Sequence, residues 1–313
     1  MRLIRSSWRV FTLPEVKDRG LHLWGKGCAS WPIRWCRTDS VSVLSLRTNA
    51  DMSDQSERVR FGPYQLVREL SPSPLGQRWL ALRESDQSSH AVYRFPSLPD
   101  RVWRRRHTRA MQVLAQLHHP HLLAVEMCSF EVGGEPWVVT PYTGNHDNIV
   151  LLRNVVQAKG ESLPACEAER AVLQVLEGIA YAHAVGVCNG PIALEQLLVD
   201  RRGRVLIELY GVGRALAGLE AGNAELVRDE VRSVVEIAYR LVTGLDAEEP
   251  RIPASRLVKK LPRAFDEWLE TGLNPTGGFR TAQDAIEALP HRRPEPEPSR
   301  VRTVLGRLAT WSR

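Results

Sequence analysis

The chain has 313 residues, 43% of them hydrophobic and 25% charged, which is enough to bury the core of one domain of ordinary size. Its formal net charge is +6 at pH 7. The first fifty residues alone contain nine Lys or Arg against three Asp or Glu, so the remainder is close to neutral. Because the excess charge is local, we expect no nucleic-acid partner. No run of about 18 apolar residues is present that would span a membrane as a helix.

The N-terminal leader, residues 1–57, is rich in Arg and Trp and poor in acidic residues. It has no apolar run of the signal-peptide type. Met52 opens a polar stretch that is typical of an ordinary N-terminus just before a fold. We therefore expect the leader to be disordered or a mis-assigned start, with Met52 as the true start. An organelle-targeting peptide is the alternative, because such peptides are also Arg-rich and acid-poor.

The next two regions differ in their patterns. Residues 58–141 carry strand signals, which are short apolar runs broken by Pro, Ser and Gly, and one helix is expected over 108–117. Residues 142–290 carry helix signals, because apolar side chains recur at helical spacing, most clearly over 168–179 and 231–242. A strand-rich part followed by a helix-rich part predicts an α+β fold.

The segment 186–200, which reads GVCNGPIALEQLLVD, resembles the catalytic loop of protein kinases, G-V-x-H-R-D-L-K-P-E-N-[IL]-L-[LV]-D. The flanking glycine, valine, strand and aspartate match. The reacting residues are replaced, with Asn189 for His, Gly190 for Arg, Pro191 for the catalytic Asp, Ala193 for Lys and Gln196 for the metal-binding Asn. A kinase-like loop that lacks its catalytic residues is typical of a pseudokinase, and the chain resembles one in this respect.

Further motifs of the family follow in order. The turn 71–76 resembles the glycine-rich loop, in which Gly76 is retained and two prolines remove N–H donors for phosphate. Arg94 is placed at the lysine of the V-A-I-K strand, and Ala110 where a helix glutamate would pair with that lysine. Thr140 falls at the gatekeeper position.

The triplet after the next strand resembles D-F-G with Leu209 for the metal-binding aspartate. Glu208 precedes it, and strand alternation predicts that its side chain points away from the site. Glu230 takes the place of the aspartate that begins the central helix. Only residues 212–228 separate the triplet from that helix, which predicts a shortened activation segment without an A-P-E sequence. We expect no metal site.

The resemblance covers about residues 61–289 and implies a two-lobed protein-kinase-like fold of the bacterial Ser/Thr type. The small β-rich N-lobe would be residues 58–141 and the larger helical C-lobe 142–290. The substituted positions imply a pseudokinase that acts as a signalling scaffold or protein-binding module. We expect no cofactor.

Two alternatives remain open. The first is a nucleotide-binding switch without phosphoryl transfer, in which Gly76, Arg94, Thr140 and Glu195 would be the candidate contacts to ATP. The second is an atypical kinase-fold enzyme with a reorganised active site that uses Glu208 or Asp200 as a metal ligand.

Two features suggest partners. A basic run could hold an acidic or phosphorylated protein segment, with a solvated basic face as the alternative. Its members are Arg101, Trp103, Arg104, Arg105, Arg106 and Arg109. Residues 291–313 combine a Pro-rich linker with a short basic amphipathic helix, in which Val304, Leu308 and Trp311 would face a membrane surface or a partner groove. The five cysteines lack a C-x-x-C pair, so we expect a cytoplasmic protein, with membrane association through this tail as a further possibility.

Overall fold

The computed structural model describes residues 60–98, 100–131, 134–145, 148–219 and 222–290. The leader 1–57 lies outside the described residues, and so does the tail 291–313 with Val304, Leu308 and Trp311. The described residues form a six-stranded antiparallel sheet with one helix, followed by a mainly helical part that also contains a two-stranded hairpin.

The N-terminal part is one sheet whose strands lie in the spatial order β1-β2-β3-β4-β6-β5. The strands are β1 (Arg60–Phe61), β2 (Tyr64–Ser73), β3 (Gly76–Arg83), β4 (Ser89–Arg94), β5 (Met127–Phe130) and β6 (Pro136–Pro141). Helix α1 (Arg101–Leu114) is inserted between β4 and β5. The helix begins at Arg101 instead of the predicted Thr108, because the Asp100 side chain caps it by accepting hydrogen bonds from two backbone N–H groups.

The C-terminal part is built around two long helices. Its helices are α2 (Leu152–Ala158), α3 (Ala165–Ala184), α4 (Val212–Ala217), α5 (Ala224–Thr243), α6 (Ala254–Leu257), α7 (Arg263–Gly272) and α8 (Ala282–Ala288). The hairpin of β7 (Leu197–Val199) and β8 (Val205–Ile207) lies between α3 and α4 in sequence. The predicted apolar faces of α3 and α5 are buried in the core, as their 3.6-residue periodicity requires.

The core extends from the helical part into the sheet. Tyr93 and Phe95 from the N-terminal part belong to the same buried cluster as the apolar faces of α3 and α5. Near the C-terminal end, the Trp268 indole N–H donates to the Ala285 carbonyl at 2.9 Å and ties α7 to α8. No helix among the described residues combines the length and the apolar content that crossing a bilayer requires.

Candidate functional site

The space beneath the turn between β2 and β3 is occupied by the side chain of Arg78. This side chain is fully buried, which is rare for arginine unless every donor has a partner. Its guanidinium donates to the carbonyl oxygens of Ser71 at 2.7 Å and Pro72 at 2.9 Å, and to Glu208 Oε1 at 2.7 Å. Arg78 thus joins the turn to the helical part of the molecule.

Glu208 is the acceptor at the centre of this network. Its exposed fraction is only 1%, and three groups of the N-terminal part donate to it. Besides Arg78, the Tyr93 hydroxyl donates to Oε1 at 2.7 Å and the Ser73 hydroxyl to Oε2 at 2.8 Å. Burial, followed by the charge of Glu208, raises the pKa of Tyr93 well above its usual range, so the phenol stays protonated and donates. The charge pair is fully desolvated and hydrogen-bonded on both sides.

A second contact holds the same turn to the helical part. The backbone N–H of Ser71 donates to Asn148 Oδ1 at 3.1 Å, and the Asn148 amide donates in return to the Ser71 hydroxyl. Within the turn, the N–H of Leu75 donates to Ser73 Oγ at 3.2 Å. These N–H groups therefore already have acceptors inside the protein.

The prediction that Glu208 points away from the site is wrong. Strand β8 ends at Ile207, so the alternation of side chains does not extend to Glu208. The next residue, Leu209, has φ of 41°, a left-handed conformation that L-residues rarely adopt. The chain therefore turns at this point, which buries the Leu209 side chain and directs Glu208 towards the N-terminal sheet.

The register of β4 corrects the assignment of Arg94. Tyr93, one residue earlier, is the side chain that faces Glu208. Arg94 lies on the opposite face of the strand, where its Nε donates to Glu135 Oε2 at 2.7 Å and its guanidinium lies 5.6 Å from the Trp137 ring centre. Because neighbouring side chains of a strand alternate, Arg94 cannot reach the cleft.

The segment that resembles a catalytic loop is anchored to the second and third turns of α5. The buried Glu230 accepts hydrogen bonds from the backbone N–H groups of Asn189 at 3.1 Å and Gly190 at 3.0 Å. The Ser233 hydroxyl accepts a third bond from the N–H of Ile192 at 2.8 Å. The helix begins at Ala224, because the Asn223 side chain caps it, so the prediction that Glu230 stands at its beginning is wrong. Glu230 instead holds the loop from within the helix.

The substituted positions of this loop have structural contacts. Asn189 Oδ1 accepts the backbone N–H of Gly211 at 2.7 Å, which links the loop to the triplet after β8. Gln196 Oε1 accepts the N–H of Ala193 at 2.9 Å and closes a local turn. Pro191 and Ala193 are exposed and carry no titratable group.

The other candidates are dispersed. Thr140 is fully buried at the end of β6, and Ala110 is buried on α1. Glu195 pairs with Arg153 at 3.3 Å. A side chain on Gly76 would place its Cβ 2.4 Å from the carbonyl oxygen of Arg94, so only glycine fits there.

Three side chains beside the loop have the chemistry of metal ligands. Donor atoms of His183, Cys188 and Glu230 lie within 4.8 Å of one another. However, Glu230 Oε2 already accepts the Cys188 S–H at 2.7 Å in addition to two backbone N–H groups. Burial, followed by the charge of Glu230, raises the pKa of Cys188 to about 12, so the thiol remains a donor. The cluster is a hydrogen-bonded anchor for the loop.

Comparisons with known proteins show which sequences and which fold this chain is similar to. No family model matches the chain. The chain is 28% identical over 179 residues to the serine/threonine-protein kinase PknF of Mycobacterium tuberculosis. This alignment covers 54% of this chain and 36% of PknF. It is 27% identical over 212 residues to the putative cyclin-dependent kinase F-2 of Oryza sativa subsp. japonica, covering 61% of this chain and 63% of that protein.

Among solved structures, the crystal structure of the Mycobacterium tuberculosis PknI kinase domain matches with a TM-score of 0.59 and 21% sequence identity. The match covers 76% of this chain and 98% of that domain. The chain is thus similar in sequence to serine/threonine-protein kinases and shares the fold of a kinase domain. The predicted two-lobed α+β fold is confirmed, with the sheet and α1 as the N-lobe and the remaining helices as the C-lobe. The aligned region spans about a third of the length of PknF.

Within the kinase fold, the Arg78–Glu208 pair joins the two lobes across the cleft. Sequence reasoning missed Arg78, although a signal was present. The glycine-rich loop of kinases continues as G-x-G-x-x-G-x-V, and Arg78 stands at that valine. A charged residue at an apolar position of a buried strand requires a buried partner, but the local sequence does not say that the partner is Glu208.

Proposed function

We propose that this kinase-fold chain is a pseudokinase that acts by binding another protein. The observation that carries the proposal is the buried Arg78–Glu208 pair. With Tyr93 and Ser73 it fills the cleft under the loop that would cover the phosphates of ATP. A nucleotide could enter only if this desolvated pair were broken, which is costly when no new partner replaces the old one.

The chemistry of the surrounding positions supports the same conclusion. Phosphoryl transfer depends on a base or water-positioning residue, metal ligands and donors to the phosphates. Pro191 and Leu209 stand at the base and metal positions and offer no such group. The Ser71 and Leu75 N–H groups are bonded within the protein, so ATP and magnesium do not fit this cleft.

The two alternatives find less support. A nucleotide switch would require Arg94 in the cleft, whereas Arg94 pairs with Glu135 on the outer face. An enzyme with a reorganised metal site would require free oxygens on Glu208 or Asp200. Those of Glu208 accept three side-chain donors, and those of Asp200 hold the turn to Arg204 through bonds of 2.9 Å and 2.7 Å.

The test is thermal unfolding of the full chain with and without ATP, in magnesium and in EDTA, together with a phosphoryl-transfer assay using labelled ATP. We expect no shift and no transfer. A ligand at a hundred times its dissociation constant would stabilise the fold by about 2.7 kcal/mol, which is readily seen. A magnesium-dependent shift accompanied by transfer of label would overturn the proposal.

A double variant distinguishes two possible causes of ATP exclusion: the filled cleft, and the loss of the residues that would hold phosphate and metal. Replacing Arg78→Val together with Glu208→Ala removes both charges and opens the space under the loop. If this variant binds nucleotide and the unmodified chain does not, the Arg78–Glu208 pair is the cause of nucleotide exclusion. If neither binds, the missing ligands alone are sufficient to exclude ATP.

A further inference from the structure

Helix α1 carries a dense group of arginines near its N-terminal end. Five lie within its first nine residues, and we call them the α1 arginines: Arg101, Arg104, Arg105, Arg106 and Arg109. Within the described part of the chain, none of them forms an ion pair. Other arginines are paired, as Arg94 is with Glu135 and Arg251 is with Glu270. Four of them, Arg101, Arg104, Arg105 and Arg109, are exposed and can reach an external anion, whereas Arg106 is half-buried.

This placement works against the helix itself. The N-terminal end of a helix carries partial positive charge, which favours acidic and disfavours basic side chains in the first turn. Helix α1 has no acidic residue in its first turn, although Asp100 caps it. Mutual repulsion among the α1 arginines adds to the cost. An anion bound here would relieve both effects at once.

Two adjacent depressions, which we call the outer and the inner cavity, lie beside the α1 arginines. The outer cavity is a shallow depression of about 430 Å³, largely open to solvent and lined by side chains of α1 alone, among them Arg101, Arg105 and Arg109. The inner cavity, of about 640 Å³, lies between α1, α4 and the loop at 186–188. Arg109 lines both cavities, so one bound segment can reach the two together.

The inner cavity combines charge with an apolar floor. Arg106 and Arg214 line it from α1 and α4. Arg106 lies over the Trp103 ring, 5.7 Å from its centre, and packs against Gly218, where a Cβ would approach within 2.2 Å of the guanidinium carbon. Its apolar lining includes Ala110, Val113, Leu114, Val187 and Leu219. Such a cavity accepts an apolar side chain next to an anion.

We propose that these two cavities bind a phosphorylated segment of a partner protein, with the phosphate held by Arg109 and its neighbours and an apolar side chain in the inner cavity. The inference rests on the proposed binding function and names the class of partner. Every cation of the group is an arginine, whose planar fork donates two parallel hydrogen bonds to a phosphate. A phosphate carries nearly two negative charges and three acceptor oxygens, which suits clustered guanidinium groups better than one carboxylate does.

Other occupants fit these cavities less well. A membrane surface is flat and cannot enter a cavity between two helices. A nucleic-acid backbone supplies phosphates but no aliphatic side chain for the apolar floor. The leader of this chain is itself basic, with nine Lys or Arg against three Asp or Glu in the first fifty residues, so its charge has the wrong sign.

The test uses the full chain and an oriented peptide library with phosphothreonine at one fixed position. Matched libraries carry Thr or Glu at that position. We expect retention of the phosphothreonine library, selection for an apolar residue near the phosphate, and binding of the best peptide that weakens about tenfold or more in R106Q/R109Q. The matched control is R232Q/R263Q, which removes two helix-surface arginines elsewhere and should bind as the unmodified chain does.

Several results would overturn the inference. These are equal retention of the three libraries, equal loss in R232Q/R263Q, and binding to vesicles of phosphatidylglycerol and phosphatidylcholine without peptide retention. Circular dichroism of each variant establishes that it folds. The cavities are separate from Arg78 and Glu208, so a failure here leaves the ATP experiment unaffected, and ATP binding would count against the proposed function without touching the peptide result.

Discussion

The Arg78–Glu208 pair makes a sharp prediction about stability. Replacing Arg78→Met preserves much of the side-chain volume but removes the charge and three hydrogen bonds, to Ser71, Pro72 and Glu208. The carboxylate of Glu208 then stays buried with only two hydroxyl donors. Breaking a buried pair by removing one partner costs about 3–5 kcal/mol.

The size of this effect makes it measurable. A loss of about 4 kcal/mol raises the ratio of unfolded to folded molecules about a thousandfold, and it is a large part of the 5–15 kcal/mol that typically stabilises a folded protein. The double variant Arg78→Met with Glu208→Leu removes both charges and should be more stable than either single variant, because no uncompensated charge remains.

The assay is urea denaturation at pH 7 of the two single variants, the double variant and the unmodified chain, analysed as a double-mutant cycle. The matched control is Arg263→Met, because the Arg263 side chain is 93% exposed and its pair with Glu267 should contribute less than about 1 kcal/mol. If Arg78→Met costs no more than that control, or if the double variant is no better than the single ones, the argument from a desolvated pair is refuted.

Three further predictions concern other buried groups. Among the described residues, neither ring nitrogen of His107 has a hydrogen-bond partner, and burial lowers its pKa from 6.5 to about 4. The unfolded chain therefore binds more protons between these values, and stability falls by up to about 3 kcal/mol as the pH drops from 6.5 to 4. Urea unfolding of His107→Phe should show a smaller fall, and an unchanged pH dependence would contradict this. Cys188, whose pKa is raised to about 12, should be alkylated by iodoacetamide far more slowly than the exposed Cys166, as followed by mass spectrometry; equal rates would rule out a protonated, buried thiol. Glu230→Ala leaves the backbone N–H groups of half-buried Asn189 and buried Gly190 unpaired and should cost about 3 kcal/mol or more in thermal or urea unfolding, whereas Glu236→Ala at a half-exposed pair should cost less than about 1 kcal/mol.

Local patterns in the sequence were sufficient to predict the order of the elements and to locate the loop at 186–200. The apolar spacing over 168–179 and 231–242 predicted two helices whose buried faces the structure contains, because helical periodicity is a property of neighbouring residues. The resemblance over 186–200 located the loop that Glu230 anchors, since its frame of glycine, valine and strand is contiguous in sequence.

The contents of the cleft were decided by tertiary structure. Arg78 and Glu208 are separated by 130 residues, and no local pattern pairs them. The orientation of two side chains also depends on the assembled fold. Tyr93, and not Arg94, faces the cleft because of the side on which β4 meets the C-lobe. The Glu208 side chain turns inward because β8 ends at Ile207. Residue types and periodicity therefore determined which elements form, whereas the buried electrostatics depended on which faces were brought together, since a charge is stabilised in the interior only by the partner that the fold places beside it.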